Sequence, residues 1–304
     1  MLKRADPTAQ WPSRWTVSDI LARQGLVRQR VRKRKPGHPG KPTTLASAPN
    51  QLWCVDFKGH FKTADGRYCY PLTITDAYSR YLLCCRGLLS TESAPTEAVF
   101  AQVFRHHGLP EAIKSDNGTP FASIALGRVS RLSVWWIKLG IVPELIEPGK
   151  PQQNGQHERM HRVLKAETTR PPAEDLRAQQ RRFDRFRREY NQVRPHEAIE
   201  LEVPASRYRT SERRMPRRLA PLEYPAHYET RRVSADGGIR WRSQWVAVSH
   251  TCIGEQIGLE AVDHGIWDVY LGPVKLGRLL EETMRIEDDR GRIKRNPVLP
   301  MSPH

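Results

Sequence analysis

Three acidic residues lie next to strand or turn signals, at positions where carboxylates could hold a metal ion. Asp56 lies within the apolar run Trp-Cys-Val-Asp-Phe, Asp116 begins the turn sequence Asp-Asn-Gly, and Glu158 follows Asn-Gly-Gln-His. Carboxylate oxygens are the ligands that Mg²⁺ prefers in proteins, and two ions held by carboxylates can cut and rejoin phosphodiesters. The three acids are therefore candidate ligands of a phosphoryl-transfer site.

Each acid also has an ordinary structural interpretation. Asp116 opens a sequence that forms good turns in any protein, and Glu158 belongs to a predicted first helical turn, where the helix dipole favours an acid. Asp56 is harder to explain in this way. It stands between Val55 and Phe57 in an apolar strand, where an acid is costly to bury without a partner.

The net charge indicates a polyanionic partner. The chain of 304 residues carries 50 Lys+Arg against 33 Asp+Glu, a formal net charge of +17, and solvation alone does not require such an excess. A basic protein that binds without performing chemistry is the alternative at this point. Binding to a membrane surface is disfavoured, because no long apolar run and no basic amphipathic anchor is visible.

The cysteines and the first residues bear on the compartment. Five cysteines without a Cys-x-x-Cys pair argue against a disulfide framework and against a zinc knuckle. The first residues lack the apolar core of a signal peptide, so export is not supported. We expect a cytoplasmic protein whose cysteines are small buried hydrophobes.

Changes in charge and periodicity divide the chain into three predicted parts. Residues 1–43 contain one short amphipathic helix and a basic linker, in which six of the eight residues 28–35 are Lys or Arg. Residues 44–212 mix strands and helices. Residues 213–304 follow an arginine-rich connector, 207–218, and show short alternating runs between turns, which predict a small all-β unit.

The central part predicts an α/β fold with a mixed five-stranded sheet. Strands are expected at 52–58, 68–75, 80–89, 112–115 and 141–146, and helices begin near 93, 132, 153 and 173. An antiparallel hairpin followed by alternating helices and strands is typical of a mixed sheet with flanking helices. Asp56 then lies in the first strand and Asp116 just past the fourth, so neighbouring strands can bring their carboxylates together. Glu158 lies early in a helix that can direct it toward the same sheet edge.

Five motifs resemble, in the same order, the integrase-type catalytic core of bacterial insertion-sequence transposases, which is similar to that of retroviral integrases. They are the segments 53–57, 75–80, 115–121, 154–162 and 190–196. The resemblance covers about residues 44–212. It implies a ribonuclease-H-like fold, and it maps Asp56, Asp116 and Glu158 one by one onto the Asp-Asp-Glu triad of that family.

The resemblance also implies an activity, a cofactor and partners. It implies a DNA transposase or integrase, a polynucleotidyl transferase with two Mg²⁺ (or Mn²⁺) ions, in which Asp56 and Asp116 share the ions and Glu158 completes the second site. Water would attack to nick the element end, and a DNA 3′-hydroxyl would attack to join that end to target DNA. Double-stranded DNA and further copies of the chain are the implied partners, since pairing two ends needs at least a dimer.

The same resemblance also implies roles for the parts of the chain on either side of the core. Residues 1–43 would be the remnant of a helix-turn-helix region, and the C-terminal unit, rich in tryptophan, resembles the small barrels that follow such cores. Its tryptophans are equally compatible with barrel core. The interval from Asp116 to Glu158 is longer than usual in these proteins, with the extra length around 124–133.

Twelve residues are predicted to contact DNA, because they are polar or basic and lie beside the catalytic motifs or in basic runs. They are Asn117, Asn154, His157, His161, Arg162, Lys165, Arg181, Arg182, Arg185, Arg188, Arg207 and Arg209. We interpret His157 and His161 as exposed or phosphate-facing side chains of the helix that carries Glu158. A basic run can also be a solvated face, but several runs on one strongly basic chain favour phosphate contact.

Three alternatives stand beside the transposase. The segment 157–161 matches the zinc-peptidase pattern His-Glu-x-x-His, although the basic residues around it oppose a packed core helix and no third ligand is marked. A co-opted protein of the same fold could bind DNA ends without cutting them. A nuclease of the same fold would cleave DNA without joining it.

Overall fold

The computed structural model describes residues 14–24, 26, 45–147, 153 and 155–288. The predicted N-terminal helix is present as α1, Arg14–Arg23. The basic cluster at 28–35 and the predicted DNA contact Asn154 lie outside the described residues.

A six-stranded mixed sheet forms the centre of the described chain. Its strands are β1 Leu52–Phe57, β2 Phe61–Lys62, β3 Tyr68–Asp76, β4 Leu82–Leu88, β5 Ala112–Ser115 and β6 Val142–Leu145. Strand β3 pairs antiparallel with β1, β2 and β4, whereas β1, β5 and β6 are parallel neighbours. The five predicted strands are all present. The sixth, β2, has two residues and is too short to produce a periodic sequence signal.

Helices cover both faces of this sheet. They are α2 Ser93–His107, α3 Arg131–Lys138, α4 Gly155–Thr168, α5 Leu176–Gln192 and the single turn α6 Pro204–Arg207. On one face, Phe100 of α2 and Trp136 of α3 share a buried cluster with Trp53 of β1. On the other face, Leu164 of α4 shares a cluster with Leu82 of β4. Among the described residues, none of the helices has the length and hydropathy of a membrane span.

The alternation of β1 decides which face receives Asp56. Trp53, Val55 and Phe57 are buried in the apolar cluster under α2 and α3, and successive strand residues point to opposite faces. Asp56 therefore points to the face that α4 covers. If the register slipped by one residue, Asp56 would point into the aromatic cluster and three apolar side chains would leave it. The packing under α2 and α3 therefore fixes the direction of Asp56.

The C-terminal residues form a second, all-β unit. Its strands are β7 Glu229–Arg232, β8 Gly238–Trp241, β9 Gln244–Ala247, β10 Gln256–Asp263, β11 Ile266–Leu271, β12 Val274–Leu280 and β13 Arg285–Glu287. Five of them form an antiparallel sheet in the order β13-β12-β11-β10-β7, and β8 pairs with β9 as a separate hairpin. The all-β prediction is confirmed. Among the described strands, the sheet is open and does not close into a barrel. Trp241 and Val246 of the separate hairpin complete its apolar core.

The tryptophans of this unit have two different environments. Trp241 and Trp267 each donate their indole N–H to Glu281 Oε1, at 2.9 and 2.8 Å, and their rings meet edge to face. The expectation that tryptophans fill the core holds for the buried Trp241, and the half-buried Trp267 packs against that core. Trp245 is 47% exposed.

The C-terminal sheet packs directly on α3. Val134 and Ile137 of α3 belong to the apolar cluster of the C-terminal unit, and Lys138 Nζ lies 2.8 Å from Glu255 Oε1. A Cβ on Gly272, in the turn between β11 and β12, would lie 2.9 Å from Ile137 Cγ2. Only glycine allows this approach, so the two units meet in close packing at α3.

The connector at 207–218, predicted to be solvated or DNA-facing, is exposed along most of its length, and its middle is also bonded to the central unit. Ser211 Oγ donates to Leu109 O at 2.7 Å, and the Arg213 guanidinium donates to Pro110 O and to Gly140 O. These bonds fasten the middle of the connector across one end of the central sheet. The physical reason is that chain ends and loops there leave backbone carbonyls that a guanidinium can satisfy.

Candidate metal and DNA site

A polar layer covers the sheet face under α4. Strand pairing places Asp56 opposite Thr73, and Cys54 opposite both Thr75 and Lys114. Directly opposed residues point to the same side of a sheet, so these five side chains share one face. Thr73, Thr75 and Lys114 are buried, which makes this face polar where the other face is aromatic.

Asp56 stands at the centre of this layer. Its side chain is 18% exposed, and its Oδ2 lies 3.8 Å from Nδ1 of His161. The hydroxyl of Thr73 donates to the backbone carbonyl of Asp56 at 3.1 Å. Asp56 is thus accessible to a small ion while its backbone is held by the neighbouring strand.

Asp116 follows β5 at the position that matches Asp56. The parallel register pairs Cys54 with Lys114, and two further residues along each strand lead to Asp56 and Asp116. Gly118 N–H donates to Asp116 Oδ1 at 3.1 Å. Burial raises the pKa of the Asp116 carboxyl, against the smaller lowering by that hydrogen bond. A Cβ on Gly118 would lie 3.1 Å from Asp116 Oδ2, so glycine lets the turn fold tightly around the carboxylate.

Glu158 occupies the first turn of α4 and is exposed. Among the described residues there is no group of three or more His, Cys, Asp or Glu side chains arranged to hold a metal ion. The structure therefore places Asp56 on β1 and Asp116 directly after the adjacent strand β5, at corresponding positions, and among the described residues it does not gather all three acids. The mapping of the three onto one metal site stays a prediction.

His157 and His161 lie on the inner side of α4. They are only 1% and 4% exposed, and their Nε2 atoms lie 3.0 and 2.7 Å from Thr73 Oγ1. The interpretation of these two residues as exposed or phosphate-facing side chains is wrong, because both rings are packed against β3. Burial lowers the pKa of His157 to about 4 and that of His161 well below its usual range, so both imidazoles are neutral at neutral pH.

The same geometry bears on the zinc-peptidase pattern. His157 and His161 share Thr73 as a partner, whereas Glu158 points outward and is exposed. No three-ligand group that could bind a metal includes them among the described side chains. The structure thus gives the pattern a packing role, in which two residues one helical turn apart contact the same strand.

The other predicted DNA contacts fall into two groups. The exposed ones are Arg162, Lys165, Arg181, Arg185, Arg188 and Arg209. The other three are engaged within the chain: Asn117 donates to Ile146 O at 2.8 Å, Arg182 donates to Pro171 O, and Arg207 is paired with Glu200 and Glu202 at 2.7 and 3.1 Å. Arg207 is the clearest correction, because two carboxylates already neutralise its guanidinium.

Thr73 and Thr75 are site residues that the sequence interpretation missed. The run Thr73-Ile74-Thr75 places two hydroxyls on one face of an otherwise apolar strand, and this alternation was a usable signal. A second signal lay in α4, where His157, Met160, His161 and Leu164 have the spacing of one helical face. All four are buried. The basic residues between these four suggested an exposed helix, so the buried face was not recognised.

Comparison with known families identifies the central part of the chain. Two models, each described as an integrase core domain, match residues 46–151 and residues 139–204. Together they span Asp56, Asp116 and Glu158 and all of the mixed sheet. The ribonuclease-H-like expectation for this sheet is confirmed.

Two curated relatives come from bacterial insertion elements. The chain is 29% identical over 196 residues to the insertion element IS476 uncharacterized 39.2 kDa protein of Xanthomonas euvesicatoria. The matched segment covers 61% of this chain and 53% of that protein. It is 26% identical over 184 residues to the insertion element IS407 uncharacterized 31.7 kDa protein of Burkholderia multivorans, covering 60% of each. The matched segments thus span little more than half the length of these relatives.

Solved structures include the HTLV-2 integrase catalytic core domain in complex with magnesium. It is 17% identical to this chain, with a TM-score of 0.44, and the match covers 54% of this chain and 100% of that one.

Proposed function

Because the chain belongs to the integrase core family of insertion-sequence transposases, we propose that it is a DNA transposase that cuts the ends of its element and joins them to target DNA. Integrase cores are in general polynucleotidyl transferases that act on DNA. The observation that carries the proposal is the pair Asp56, on β1, and Asp116, directly after the adjacent parallel strand β5, at corresponding positions in the matched domain. We also propose that the element ends are its substrate and that it performs the strand-transfer step.

The donor atoms near this pair suit a divalent cation of the magnesium type. Asp56 and Asp116 offer carboxylate oxygens, and Asn117 Oδ1 is buried without a hydrogen-bond partner among the described residues. Oxygen donors are the ligands that Mg²⁺ and Mn²⁺ favour. The raised pKa of Asp116 agrees with this assignment, because a bound cation favours the ionised carboxylate that burial penalises. We assign Asp56, Asp116 and Glu158 as the ligands.

The chain's own residues orient the reaction rather than supply a nucleophile. Bound divalent cations supply charge stabilisation at the phosphate and lower the pKa of the attacking hydroxyl. Asp56 is held on its strand by Thr73, and Asp116 is held in its turn by Gly118. Glu158 is exposed on α4 and is open to the DNA side.

DNA binding is assigned to exposed basic residues on the same side of the sheet. Arg162 and Lys165 of α4 and Arg181, Arg185 and Arg188 of α5 are exposed, and α4 and α5 both cover the face that holds Asp56. Basic side chains in such positions neutralise phosphates and release counterions. The proposal includes double-stranded DNA as partner, a homo-oligomer on DNA, and a cytoplasmic, nucleoid-associated location.

The proposed domain limits are 1–43, 44–212 and 213–304. Residues 44–212 hold the integrase core match, and every strand of the all-β unit follows residue 213.

The first experiment compares wild type with Asp56→Asn, Asp116→Asn and Glu158→Gln on labelled DNA that carries the element's own ends. We expect Mg²⁺-dependent cleavage and joining products from wild type. Each variant should lose at least about 1,000-fold of this activity, since removing one member of a catalytic unit can cost nearly as much as removing all of its members. DNA binding measured by gel shift should remain. Arg207→Gln is the control, because its guanidinium is already paired with Glu200 and Glu202, and it should keep full activity.

The products separate the proposal from its alternatives. Cleavage without joining by wild type would identify a nuclease of the same fold. Binding with neither product, in wild type and variants alike, would identify a protein that retains the acids without performing the reaction. Full activity of Glu158→Gln would remove Glu158 from the site and leave the two strand acids as its ligands.

A further inference from the structure

Thr73 is the centre of a buried hydrogen-bond cluster that joins β1, β3 and α4. Its hydroxyl lies 3.1 Å from Asp56 O, 3.0 Å from His157 Nε2 and 2.7 Å from His161 Nε2. We infer that the Thr73 hydroxyl, with these two imidazoles, is a positioning group that sets the orientation of α4, and with it Glu158, relative to Asp56. This inference rests on the proposed function, since it concerns how the same metal site is assembled.

The hydrogen-bonding capacity of a threonine hydroxyl matches the three contacts. A hydroxyl has one donor and two acceptor lone pairs. Donation to Asp56 O uses the proton, so each lone pair is available for one Nε2–H. Both imidazoles then carry their proton on Nε2, and His157 Nδ1 faces the Thr75 hydroxyl at 3.4 Å. The cluster is thus fully paired at Thr73, although it lies where an unpaired polar group would be costly.

The direction of Glu158 follows from this arrangement. Neighbouring residues of a helix point about 100° apart, at 3.6 residues per turn. Because His157 and His161 are both directed at Thr73, the rotation of α4 about its axis is defined at two points one turn apart. Glu158, which follows His157 directly, then has a fixed direction relative to the sheet. His161 also borders Asp56, with Nδ1 at 3.8 Å from Oδ2, beyond hydrogen-bonding distance.

The apolar packing of α4 involves a different strand from the one that carries Asp56. Met160 and Leu164 contact the cluster formed with Leu82 and Phe183, which lies over β4 rather than over β1. Those contacts attach the helix to β4 and do not include Asp56 or Thr73. The Thr73 cluster is therefore the link between the helix and the strand of Asp56.

The test is a direct titration of the full chain with Mn²⁺ alone, by isothermal calorimetry, comparing Thr73→Val with Thr73→Ser. Valine keeps the shape of the side chain and removes the hydroxyl, whereas serine keeps the hydroxyl. We expect Thr73→Val to bind Mn²⁺ about 10- to 100-fold more weakly, the loss typical of residues that orient metal ligands, and Thr73→Ser to stay within about threefold of wild type. Val163→Ala, on the same helix but packed on the apolar cluster, is the control for general loosening and should bind like wild type.

A second pair of variants tests the imidazole side of the cluster. His161→Gln can place a side-chain N–H near the position of Nε2, whereas His161→Ala cannot. We expect His161→Gln to recover a large part of the Mn²⁺ affinity that His161→Ala loses. This pair decides the matter if Thr73→Val does not fold.

The outcomes distinguish this inference from the proposed function. Folded Thr73→Val that binds Mn²⁺ like wild type would falsify the positioning role, as would an equal loss in Val163→Ala. Wild type that binds no Mn²⁺ and yields no DNA products would overturn the proposed function and the inference together. Wild-type binding with a selective loss in Thr73→Val and His161→Ala supports both.

Discussion

At the scale of single residues, Asp116 opposes folding in the absence of a cation. Burial raises its pKa, so the folded chain disfavours the ionised form that a metal ligand needs. Below the ordinary pKa of an aspartic acid, about 3.9, the carboxyl is protonated in both folded and unfolded chains. As the pH rises through the raised folded pKa, ionisation lowers the free energy of unfolding.

Asp116→Asn is therefore expected to raise the midpoint of thermal unfolding at neutral pH in metal-free buffer. The gain should shrink as the pH falls through the raised pKa of the wild-type carboxyl. Thermal unfolding followed by circular dichroism at several pH values measures this difference. Asp65→Asn is the control of opposite sign, because a hydrogen bond from the Thr63 hydroxyl lowers the pKa of Asp65, and its replacement should not raise the midpoint. A lower midpoint for Asp116→Asn at neutral pH would contradict the account.

At the scale of elements, helix α5 protects the edge of the central sheet. Strand β4 pairs only with β3 among the described strands, so its outer backbone groups need other partners. Gln180 donates to Cys85 O and accepts from Gly87 N, both at 3.0 Å, and Arg187 donates to Leu83 O at 3.0 Å. Side chains of α5 thus occupy the positions that another strand would use.

Asn191 gives the sharpest test of this edge protection. It accepts from Leu82 N at 2.8 Å and donates to Leu82 O at 3.0 Å, and it is buried. Asn191→Ala leaves buried backbone groups unpaired, so we expect a loss of about 1–3 kcal/mol in the free energy of unfolding, measured by urea titration. Gln192→Ala, at the next and exposed position, should change it by less than about 0.5 kcal/mol. Equal stabilities of the two variants would refute the role of Asn191.

The regular elements could be predicted from the sequence because each has its own local period. The alternation of β1 and the apolar stripe of α2 gave their positions to within about two residues, as is usual for strongly periodic segments. The roles of Thr73, Asn191 and Arg213 could not be predicted in this way. Their partners are distant in the chain, such as His157 for Thr73 and Leu82 for Asn191, and no local pattern records a partner at that separation.

The site was predictable in part for the same reason. Asp56 and Asp116 are related by strand register, which alternation and element order define. Glu158 depends on the orientation of a helix over the sheet, and that orientation is set by buried contacts to Thr73. The sequence shows the helix and its acid, but not its rotation.

At the scale of the whole molecule, the arginines that make up the positive charge divide into exposed ones and ones engaged within the chain. Arg181, Arg185 and Arg188 are exposed along α5, whereas Arg207 and Arg213 are engaged within the chain. Net charge alone does not separate these two groups. Only the first group is free to neutralise phosphate.

Replacing Arg181, Arg185 and Arg188 together by Gln should weaken DNA binding and reduce its dependence on salt. If each contacts one phosphate, the slope of log K against log salt should fall by about 2.7 units, at 0.9 per contact. Fluorescence anisotropy with a labelled duplex at several salt concentrations measures this slope. Arg207→Gln is the matched control and should leave it unchanged. An unchanged slope in the triple variant would exclude α5 from the DNA interface.

The close packing of the C-terminal sheet on α3 limits how this protein could evolve by exchange of parts. Gly272 admits Ile137 so closely that a side chain at position 272 would collide with it, and Lys138 pairs with Glu255 across the same contact. A C-terminal unit without glycine at this turn would not fit against α3. Productive recombination between such proteins should therefore carry α3 and the C-terminal sheet together, with crossover points before residue 131 rather than in the connector.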